Sequence, residues 1–212
     1  MAKFKLLLTD LDGTLLDTSE YIFQAMEYSL AKNNFPIPPR QEIEKRMGPP
    51  LEEIYGLFYP NADIAKLSAD HREFQQQHLE LAKPFPNTVA TLEKIRSAGL
   101  KIAAVSTRFS ETVYQTLKIN DLERYFDLII TGSDVEKHKP DPEALNLAMS
   151  RLNFQPTDAI MVGDTDADVQ AARAAKVPVI GCTYGLQGDL VLQHHPDFAI
   201  KDIAEILPII MD

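Results

Sequence analysis

The chain has little cysteine and no long apolar run. Cys182 is its single cysteine, which excludes an intrachain disulfide, a CxxC redox pair and a thiolate metal cage. Acidic residues follow the short apolar stretch near the start at once, and no signal-peptide cleavage pattern appears. We therefore expect a protein of the reducing cytoplasm that is neither exported nor inserted in a membrane.

Basic side chains are in the minority, with 21 Lys and Arg against 31 Asp and Glu and a formal net charge of −10. This balance predicts no nucleic-acid partner and no anionic membrane surface as a partner, because both would be repelled. A small anionic ligand stays possible, since a metal ion and one or two basic side chains can reverse the sign inside a cleft. A monomer and a dimer are both compatible with this composition.

Six short apolar segments recur along the chain, and helical patterns separate most of them. Their low alternation and many β-branched residues indicate strands buried on both faces, and strand–helix alternation is typical of a doubly wound parallel sheet. We therefore predict an α/β fold. The predicted strands cover residues 4–9, 101–106, 128–131, 159–163, 177–181 and 198–200.

One long interval breaks this alternation, because no strand pattern is recognised between the first predicted strand and Pro86. Apolar residues at helical spacing predict several helices there instead. The sequence therefore predicts a core domain formed by residues 1–16 and 84–212, with an all-helical cap domain inserted at 17–83. The predicted cap helices cover residues 21–30, 51–58 and 64–81.

The first predicted strand runs directly into two acids, Asp10 and Asp12, within the segment DLDGT at 10–14. Ligands of open α/β sheets bind at the carboxyl ends of strands, and residues two apart in extended backbone point the same way. One acid could attack a substrate while the other transfers protons. An Asx-turn with two solvated acids is the plain alternative, and a calcium loop is disfavoured because Leu15 and Leu16 follow.

A second acidic group follows the strand predicted at 159–163. Mg²⁺ usually takes one or two carboxylates and leaves its other positions to water and phosphate, which suits Asp10 with Asp164. We interpret Asp166 as an acid that favours the positive end of a helix. Asp168 is predicted to orient its neighbours.

A hydroxyl and a positive charge complete the predicted site. Ser106 and Thr107 follow the strand at 101–106, where a hydroxyl and backbone amides could hold phosphate oxygens, although a helix cap is the commoner use of such a serine. Lys139 stands in a proline-rich loop and is predicted to balance the acids and a phosphate. Lys137 is interpreted as a solvated surface residue.

These motifs, in this order along the chain, resemble those of the haloacid dehalogenase superfamily. The match covers essentially the whole chain, and a helical cap between the first two motifs is similar to the phosphoglycolate phosphatase-like branch. The resemblance implies a Mg²⁺-dependent phosphatase that acts on a small phosphorylated metabolite. It rests on DLDGT at 10–14, Ser106, Lys139 with Pro140, and Gly163-Asp164 with Asp168.

The resemblance also implies roles for the acids. Asp10 would be the nucleophile that forms an aspartyl-phosphate and a ligand of Mg²⁺. Asp12 would be the acid/base and would offer its backbone carbonyl to the metal, and Asp164 would complete the protein's share of the metal shell. Asp168 would support the metal or Lys139.

The remaining implied contacts concern the substrate. Ser106 and the Thr107 amide would hold phosphoryl oxygens, and Lys139 would neutralise Asp10 and the transferring group. The family often has asparagine where this chain has Thr107. Gly48 lies in a segment, MGPPLEE at 47–53, that resembles the substrate-facing loop of phosphoglycolate phosphatases and related pyrophosphatases. Two arginines, Arg46 and Arg108, are candidates to meet a substrate carboxylate.

Several other functions are compatible with these motifs. An inorganic pyrophosphatase or a sugar-phosphate phosphatase of the same branch would share them, as would a β-phosphoglucomutase-like phosphomutase. Dehalogenation is disfavoured because a halide leaving group needs no proton, whereas Asp12 is present. A phosphate-binding regulator without turnover is disfavoured because all four motifs are intact.

Overall fold

The computed structural model describes residues 3–211 of the chain. Six parallel strands form one sheet, and two short antiparallel strands form a separate ribbon. The strands are β1 (Leu6–Thr9), β2 (Leu16–Asp17), β3 (Lys83–Pro84), β4 (Lys101–Val105), β5 (Leu128–Ile130), β6 (Ala159–Gly163), β7 (Val179–Cys182) and β8 (Phe198–Ile200). The large sheet has the order β5-β4-β1-β6-β7-β8, which confirms the predicted parallel α/β fold.

Helices cover both faces of the sheet and build the insertion. The α-helices are α1 (Ser19–Lys32), α2 (Arg40–Glu44), α3 (Leu51–Phe58), α4 (Ile64–Gln77), α5 (Thr88–Ser97), α6 (Ser110–Ile119), α7 (Glu143–Leu152), α8 (Asp166–Ala174) and α9 (Ile206–Met211). Short 3-10 segments lie at Leu79–Leu81, Glu123–Tyr125, Gly132–Asp134, Pro156–Asp158, Gly188–His194 and Ile203–Glu205. Within residues 3–211, none of these helices is both long and apolar enough to cross a membrane.

The central strand β1 is buried on both faces, as its unbroken apolar sequence predicts. Leu7 pairs in register with Ile102 and Ile160 and packs into one hydrophobic cluster, whereas Leu6 and Leu8 pack into the cluster on the other face. Full burial of each such side chain stabilises the fold by about 1.5–3 kcal/mol. The sheet is therefore the rigid element from which the loops at its carboxyl edge extend.

The chain leaves and re-enters the sheet domain through the ribbon, in which β2 pairs with β3. Leu16 is in register with Pro84 and Asp17 with Lys83. The prediction that no strand lies between β1 and Pro86 is therefore wrong. Each strand of the ribbon has only two residues, which is too short for an alternating pattern to be recognised.

Between the two ribbon strands, α1 to α4 form the predicted helical cap around a cluster of their own. Met26 and Leu30 of α1 pack with Tyr55 of α3 and Leu67 of α4, and the Ser29 hydroxyl donates to the Leu67 carbonyl oxygen at 2.7 Å. The helix predicted at 64–81 ends at Gln77 and gives way to a 3-10 turn. The domain boundaries at 16/17 and 83/84 stay a prediction.

Candidate active site

The carboxyl ends of three neighbouring strands bring the predicted acids and Ser106 to one edge of the sheet. Asp10 follows β1 directly, Ser106 follows β4, and Asp164 follows β6. The Asp10 amide donates to the Val162 carbonyl oxygen at 3.0 Å, and the Ser106 amide donates to the Ile130 carbonyl oxygen at 2.9 Å. These bonds extend the parallel pairing by one residue, so the position of each functional side chain is set by the sheet.

Lys139 lies buried between two of the acids. Its Nζ is 2.9 Å from Oδ1 of Asp10 and 2.6 Å from Oδ1 of Asp168, and it donates to the Val105 carbonyl oxygen at 3.0 Å. The Lys139–Pro140 peptide is cis. With its three donor directions used, the ammonium is fixed rather than mobile, and it joins the loop before α7 to the ends of β1 and β4.

Burial and charge act in opposite directions on these groups. Burial alone would lower the pKa of Lys139, but the carboxylates of Asp10 and Asp168 outweigh it and raise that pKa above its ordinary value. Burial raises the pKa of Asp10 to about 7, an effect that Lys139 opposes and that the negative charges of Asp168 and Asp12 increase. A cation placed beside Asp10 would lower its pKa again by favouring the charged form.

Asp164 is held by donors from two other loops. Its Oδ1 accepts from the Thr14 hydroxyl at 3.0 Å, and its Oδ2 accepts from the Leu186 amide at 2.7 Å. Burial, with the nearby charges of Asp168 and Asp10, nevertheless raises the pKa of Asp164 well above its ordinary value. The local structure therefore orients this carboxylate, and no basic side chain among residues 3–211 forms an ion pair with it.

The acidic cluster fits a divalent cation. Carboxylate oxygens of Asp10, Asp164 and Asp168 lie within 4.8 Å of one another, and two of these carboxylates, those of Asp10 and Asp168, bind the ammonium of Lys139. Asp168 has both oxygens engaged, Oδ1 by Lys139 and Oδ2 by the amide and hydroxyl of Thr165 at 3.1 and 2.7 Å. Within residues 3–211, Oδ2 of Asp10 accepts no hydrogen bond and Asp164 accepts only from neutral donors, whereas Asp168 already binds the ammonium of Lys139, so Asp10 and Asp164 are the better pair of ligands.

Two glycines let the loops approach Asp164 closely. Gly13 has φ of +77°, and a Cβ there would lie 2.1 Å from Oδ2 of Asp164. A Cβ on Gly185 would lie 2.3 Å from both the Asp164 Cβ and the Gly13 carbonyl oxygen. Any side chain at either position would displace the carboxylate, so glycine is required by space at both and by backbone conformation at Gly13.

Ser106 and Thr107 lie opposite the acidic cluster. The Ser106 Oγ accepts from the Arg108 amide at 3.1 Å, which leaves its hydroxyl hydrogen available as a donor. Thr107 lines the cleft, and its carbonyl oxygen would be 2.4 Å from a Cβ on Gly132. The segment after β4 can thus lie close to the segment after β5 because Gly132 has no side chain.

Asp12 is paired with an arginine that sequence reasoning left unplaced. Its Oδ1 is 2.9 Å from Nη1 of Arg108, and both side chains are only 13–14% exposed. The guanidinium also lies 5.1 Å from the centroid of the Tyr21 ring on the first cap helix. Asp12 and Asp10 line the same cleft, as their spacing predicts.

The cap closes this edge of the sheet into a cavity of about 100 Å³. Gly48 lines it and has φ of +125°, and a Cβ there would come within 3.2 Å of the Ala167 Cβ on α8. Beside it, the Gln187 amide nitrogen donates to the Met47 carbonyl oxygen and to Asp166 Oδ1, each at 2.9 Å. Gln187 therefore connects the cap loop directly to the start of α8.

The catalytic motifs and this geometry agree with a comparison against protein families. The model of the family described as haloacid dehalogenase-like hydrolase matches residues 7–182, which include all four motifs. The chain belongs to the haloacid dehalogenase-like hydrolase family. It is thus an enzyme of the hydrolase class, as its motifs predict.

Three similar proteins align with nearly all of this haloacid dehalogenase-like hydrolase. The pyrophosphatase PpaX of Bacillus pumilus is 32% identical over 204 residues, which is 96% of this chain and 94% of that protein. A haloacid dehalogenase-like family hydrolase from Streptococcus pneumoniae is 25% identical with a TM-score of 0.88, covering 98% of each chain. A predicted phosphoglycolate phosphatase from Haemophilus somnus, 23% identical, shares the fold with a TM-score of 0.91 over 99% of each chain.

In this haloacid dehalogenase-like hydrolase, sequence reasoning missed the loop after β7. Leu186 and Gly185 hold Asp164, the Tyr184 hydroxyl donates to the Thr14 carbonyl oxygen at 2.9 Å, and Gln187 reaches the cap. The signal in the sequence for this loop was Gly185, which follows an apolar strand at the sheet edge where ligands bind. Lys137 is exposed, as predicted.

Proposed function

We propose that this protein is a Mg²⁺-dependent phosphatase that hydrolyses a small phosphorylated metabolite through an aspartyl-phosphate on Asp10. One observation carries the proposal: Oδ1 of Asp10 is held by Lys139, while Asp10 lines the cleft at the end of the central strand. A carboxylate fixed by one oxygen has the other available for in-line attack. The relatives named pyrophosphatase support phosphoryl chemistry.

In the first step, an Asp10 oxygen attacks phosphorus and the bond from phosphorus to the leaving oxygen breaks. Asp12, two residues along the same turn and lining the same cleft, gives its proton to the leaving oxygen. Hydrogen bonds from Ser106 and Thr107 hold the oxygens of the transferring phosphoryl group. The positive charge of Lys139 stabilises the same oxygens. The product is a mixed anhydride on Asp10 together with the released alcohol or anion.

In the second step, Asp12 takes a proton from water, and the water oxygen attacks the phosphorus. The bond from phosphorus to the Asp10 oxygen breaks, which releases inorganic phosphate and restores the carboxylate. Gln187 and Gly48 keep the cap loop against the core, so bulk water is limited during both steps. Each residue therefore returns to its starting state after one turnover.

Asp10, Asp164 and the Asp12 backbone carbonyl would hold Mg²⁺. The ion would supply positive charge that offsets the buried carboxylates and the phosphoryl oxygens. Asp168 acts on this site through Lys139, because its Oδ1 binds the ammonium while its Oδ2 is held by the amide and hydroxyl of Thr165. It is a positioning residue and keeps the ammonium beside Asp10.

The first experiment measures phosphate release, with and without Mg²⁺, from phosphoglycolate, pyrophosphate, sugar phosphates and nucleotides. We expect release that EDTA abolishes and that falls by more than about a thousandfold in Asp10→Asn. The matched control is Asp17→Asn, the same chemical change at an exposed position of the ribbon, which should retain wild-type release. Undiminished release by Asp10→Asn would exclude Asp10 as the nucleophile.

A second experiment isolates the covalent step. With p-nitrophenyl phosphate, whose leaving group needs no proton, Asp12→Asn should form the phosphoenzyme but hydrolyse it slowly. Intact-mass analysis after quenching should then find one phosphoryl group on the protein, removable by hydroxylamine. A burst of nitrophenol without any phosphoenzyme would contradict the proposed intermediate.

A further inference from the structure

Two guanidinium groups face the part of the cleft that the proposed phosphoryl site does not use. Arg108 comes from the segment after β4 and Arg72 from cap helix α4, and both line the cavity. Arg72 pairs with Glu52 and lies 4.4 Å from the centroid of the Phe109 ring. In a chain of net charge −10, the two arginines bring positive charge to a cavity of about 100 Å³, each of them paired with one acid.

Both terminal nitrogens of Arg108 make contacts, Nη2 with neutral oxygens and Nη1 with an acid. Its Nη2 donates to the Thr112 carbonyl oxygen and the Thr116 hydroxyl, each at 2.9 Å. Its Nη1 meets Asp12, which is the single acid paired with it among residues 3–211, and its buried Nε has no acceptor there. The guanidinium is thus anchored on neutral groups while Nη1 faces the position of the leaving oxygen.

The remaining walls near these cations are mostly apolar. Ile22, Leu51 and Ile54 of the cap line the cavity together with Leu186 of the core. An apolar surround strengthens the attraction of a guanidinium for an anion, because solvent screens it less. A leaving group with many hydroxyls would instead need several hydrogen-bond partners, and the polar side chains that the cap adds to the described lining are those of His71, Arg72 and Gln75. The cavity therefore suits a small anion better than a neutral sugar.

We propose that Arg108 is a specificity-determining residue that selects substrates whose leaving group carries a second anionic group, a carboxylate or a phosphate. Arg72 is its counterpart on the cap. The inference rests on the proposed function, since a leaving oxygen next to Asp12 places the rest of the leaving group next to Nη1 of Arg108. A planar guanidinium recognises carboxylate and phosphate oxygens in the same way.

The test compares substrates of equal size. Phosphoglycolate and 2-hydroxyethyl phosphate differ in whether the leaving group ends in a carboxylate or a hydroxyl, and pyrophosphate adds a phosphate leaving group. kcat/KM for each is measured in the wild type, Arg108→Gln, Arg108→Lys and Arg72→Gln. Arg46→Gln is the matched control, because Arg46 pairs with Glu42 and is absent from the cavity lining.

We expect the wild type to prefer an anionic leaving group and Arg108→Gln to lower that preference by about 10- to 100-fold. Arg108→Lys should recover part of it, Arg72→Gln should lose less, and Arg46→Gln should lose none. The ratio of the kcat/KM values of one variant for two substrates does not depend on its folded fraction. A variant that folds poorly therefore still gives its substrate preference. The relative loss on phosphoglycolate and on pyrophosphate identifies which anion Arg108 contacts.

An equal loss on all three substrates in Arg108→Gln would overturn the inference, because Arg108 would then act only through Asp12. A wild type without preference for the anionic substrates would overturn it as well. Both outcomes leave the phosphatase proposal intact, since phosphate release and the effect of Asp10→Asn persist. Absence of release from every compound would instead reject the proposed function itself.

Discussion

The edge of the sheet and the cap differ in how their charges are held. At the sheet edge, Lys139 is buried within 3 Å of two carboxylates. On the cap, ion pairs such as Arg40 with Glu20 join side chains that are 48% and 52% exposed. Surface pairs contribute about 0–1 kcal/mol, whereas breaking a buried pair costs about 3–5 kcal/mol. The charged groups at the sheet edge are thus fixed, whereas an exposed pair of this kind constrains the surface of the cap only weakly.

The largest effect should follow from removing the buried cation. At pH 8, Lys139→Ala should lower the free energy of unfolding by about 3–5 kcal/mol, because it leaves neighbouring carboxylates without their partner, and it should abolish phosphate release. Lys137→Ala, two residues away and 72% exposed, should change stability by less than about 0.5 kcal/mol. Urea unfolding measures both. Equal urea midpoints for the two variants would contradict the claim that the buried lysine at the sheet edge stabilises the protein more than the exposed one.

A pair of glycine substitutions sharpens the comparison, because one adds a Cβ at a crowded position of the sheet edge and the other adds a Cβ at an open position of the cap. Gly13→Ala places a Cβ against Asp164 at a positive φ, so release should fall about 100-fold and stability by about 1–3 kcal/mol. Gly56→Ala in α3 meets nothing within 4 Å and should stabilise the protein by about 0.5–1 kcal/mol. Thermal unfolding and a phosphate assay report both. Similar effects of the two variants would contradict the crowding argument.

The smallest effect concerns the cap's own buried titratable group. His71 is buried against Tyr55, and burial, together with the positive charges of Arg72 and Arg108, lowers its pKa from the ordinary 6.5 to about 3. Between about pH 3 and pH 6.5, the His71 imidazole is therefore protonated in the unfolded chain but neutral in the folded protein. The stability that neutral His71 contributes is complete above pH 6.5 and declines as the pH falls, by about 2 kcal/mol at pH 5.

His71→Gln should remove this decline, because glutamine cannot titrate but can still bond to Tyr55. Urea unfolding of the wild type and the variant at pH 7.5 and pH 5 gives the difference. Acids such as Asp10 titrate in both proteins and cancel in the comparison. If the free energy of unfolding fell by the same amount in both proteins between pH 7.5 and pH 5, His71 would have to be protonated in the folded state. Water would then reach the imidazole inside the cap.

The sheet and the acids at its edge could be predicted because their signals are local. An unbroken apolar segment before Asp10 and another before Asp164 indicate buried strands and, with them, the shared edge at which both acids lie. The loop after β7 could not be predicted, since Leu186 acts through its backbone amide, which leaves no signature in residue type. Arg108 was recognised as a candidate, but its pairing with Asp12 joins residues 96 positions apart.

The ribbon of β2 and β3 has a consequence for how such enzymes diversify. Because Asp17 and Lys83 are in register, the two ends of the insertion lie side by side, at the spacing of paired strands. An insertion of any length or architecture whose ends meet at that spacing could replace this one without moving a strand of the sheet. Heritable changes in the part of the cavity wall that α1 to α4 supply can therefore accumulate in one segment of the gene, while the acids at the sheet edge are encoded by others.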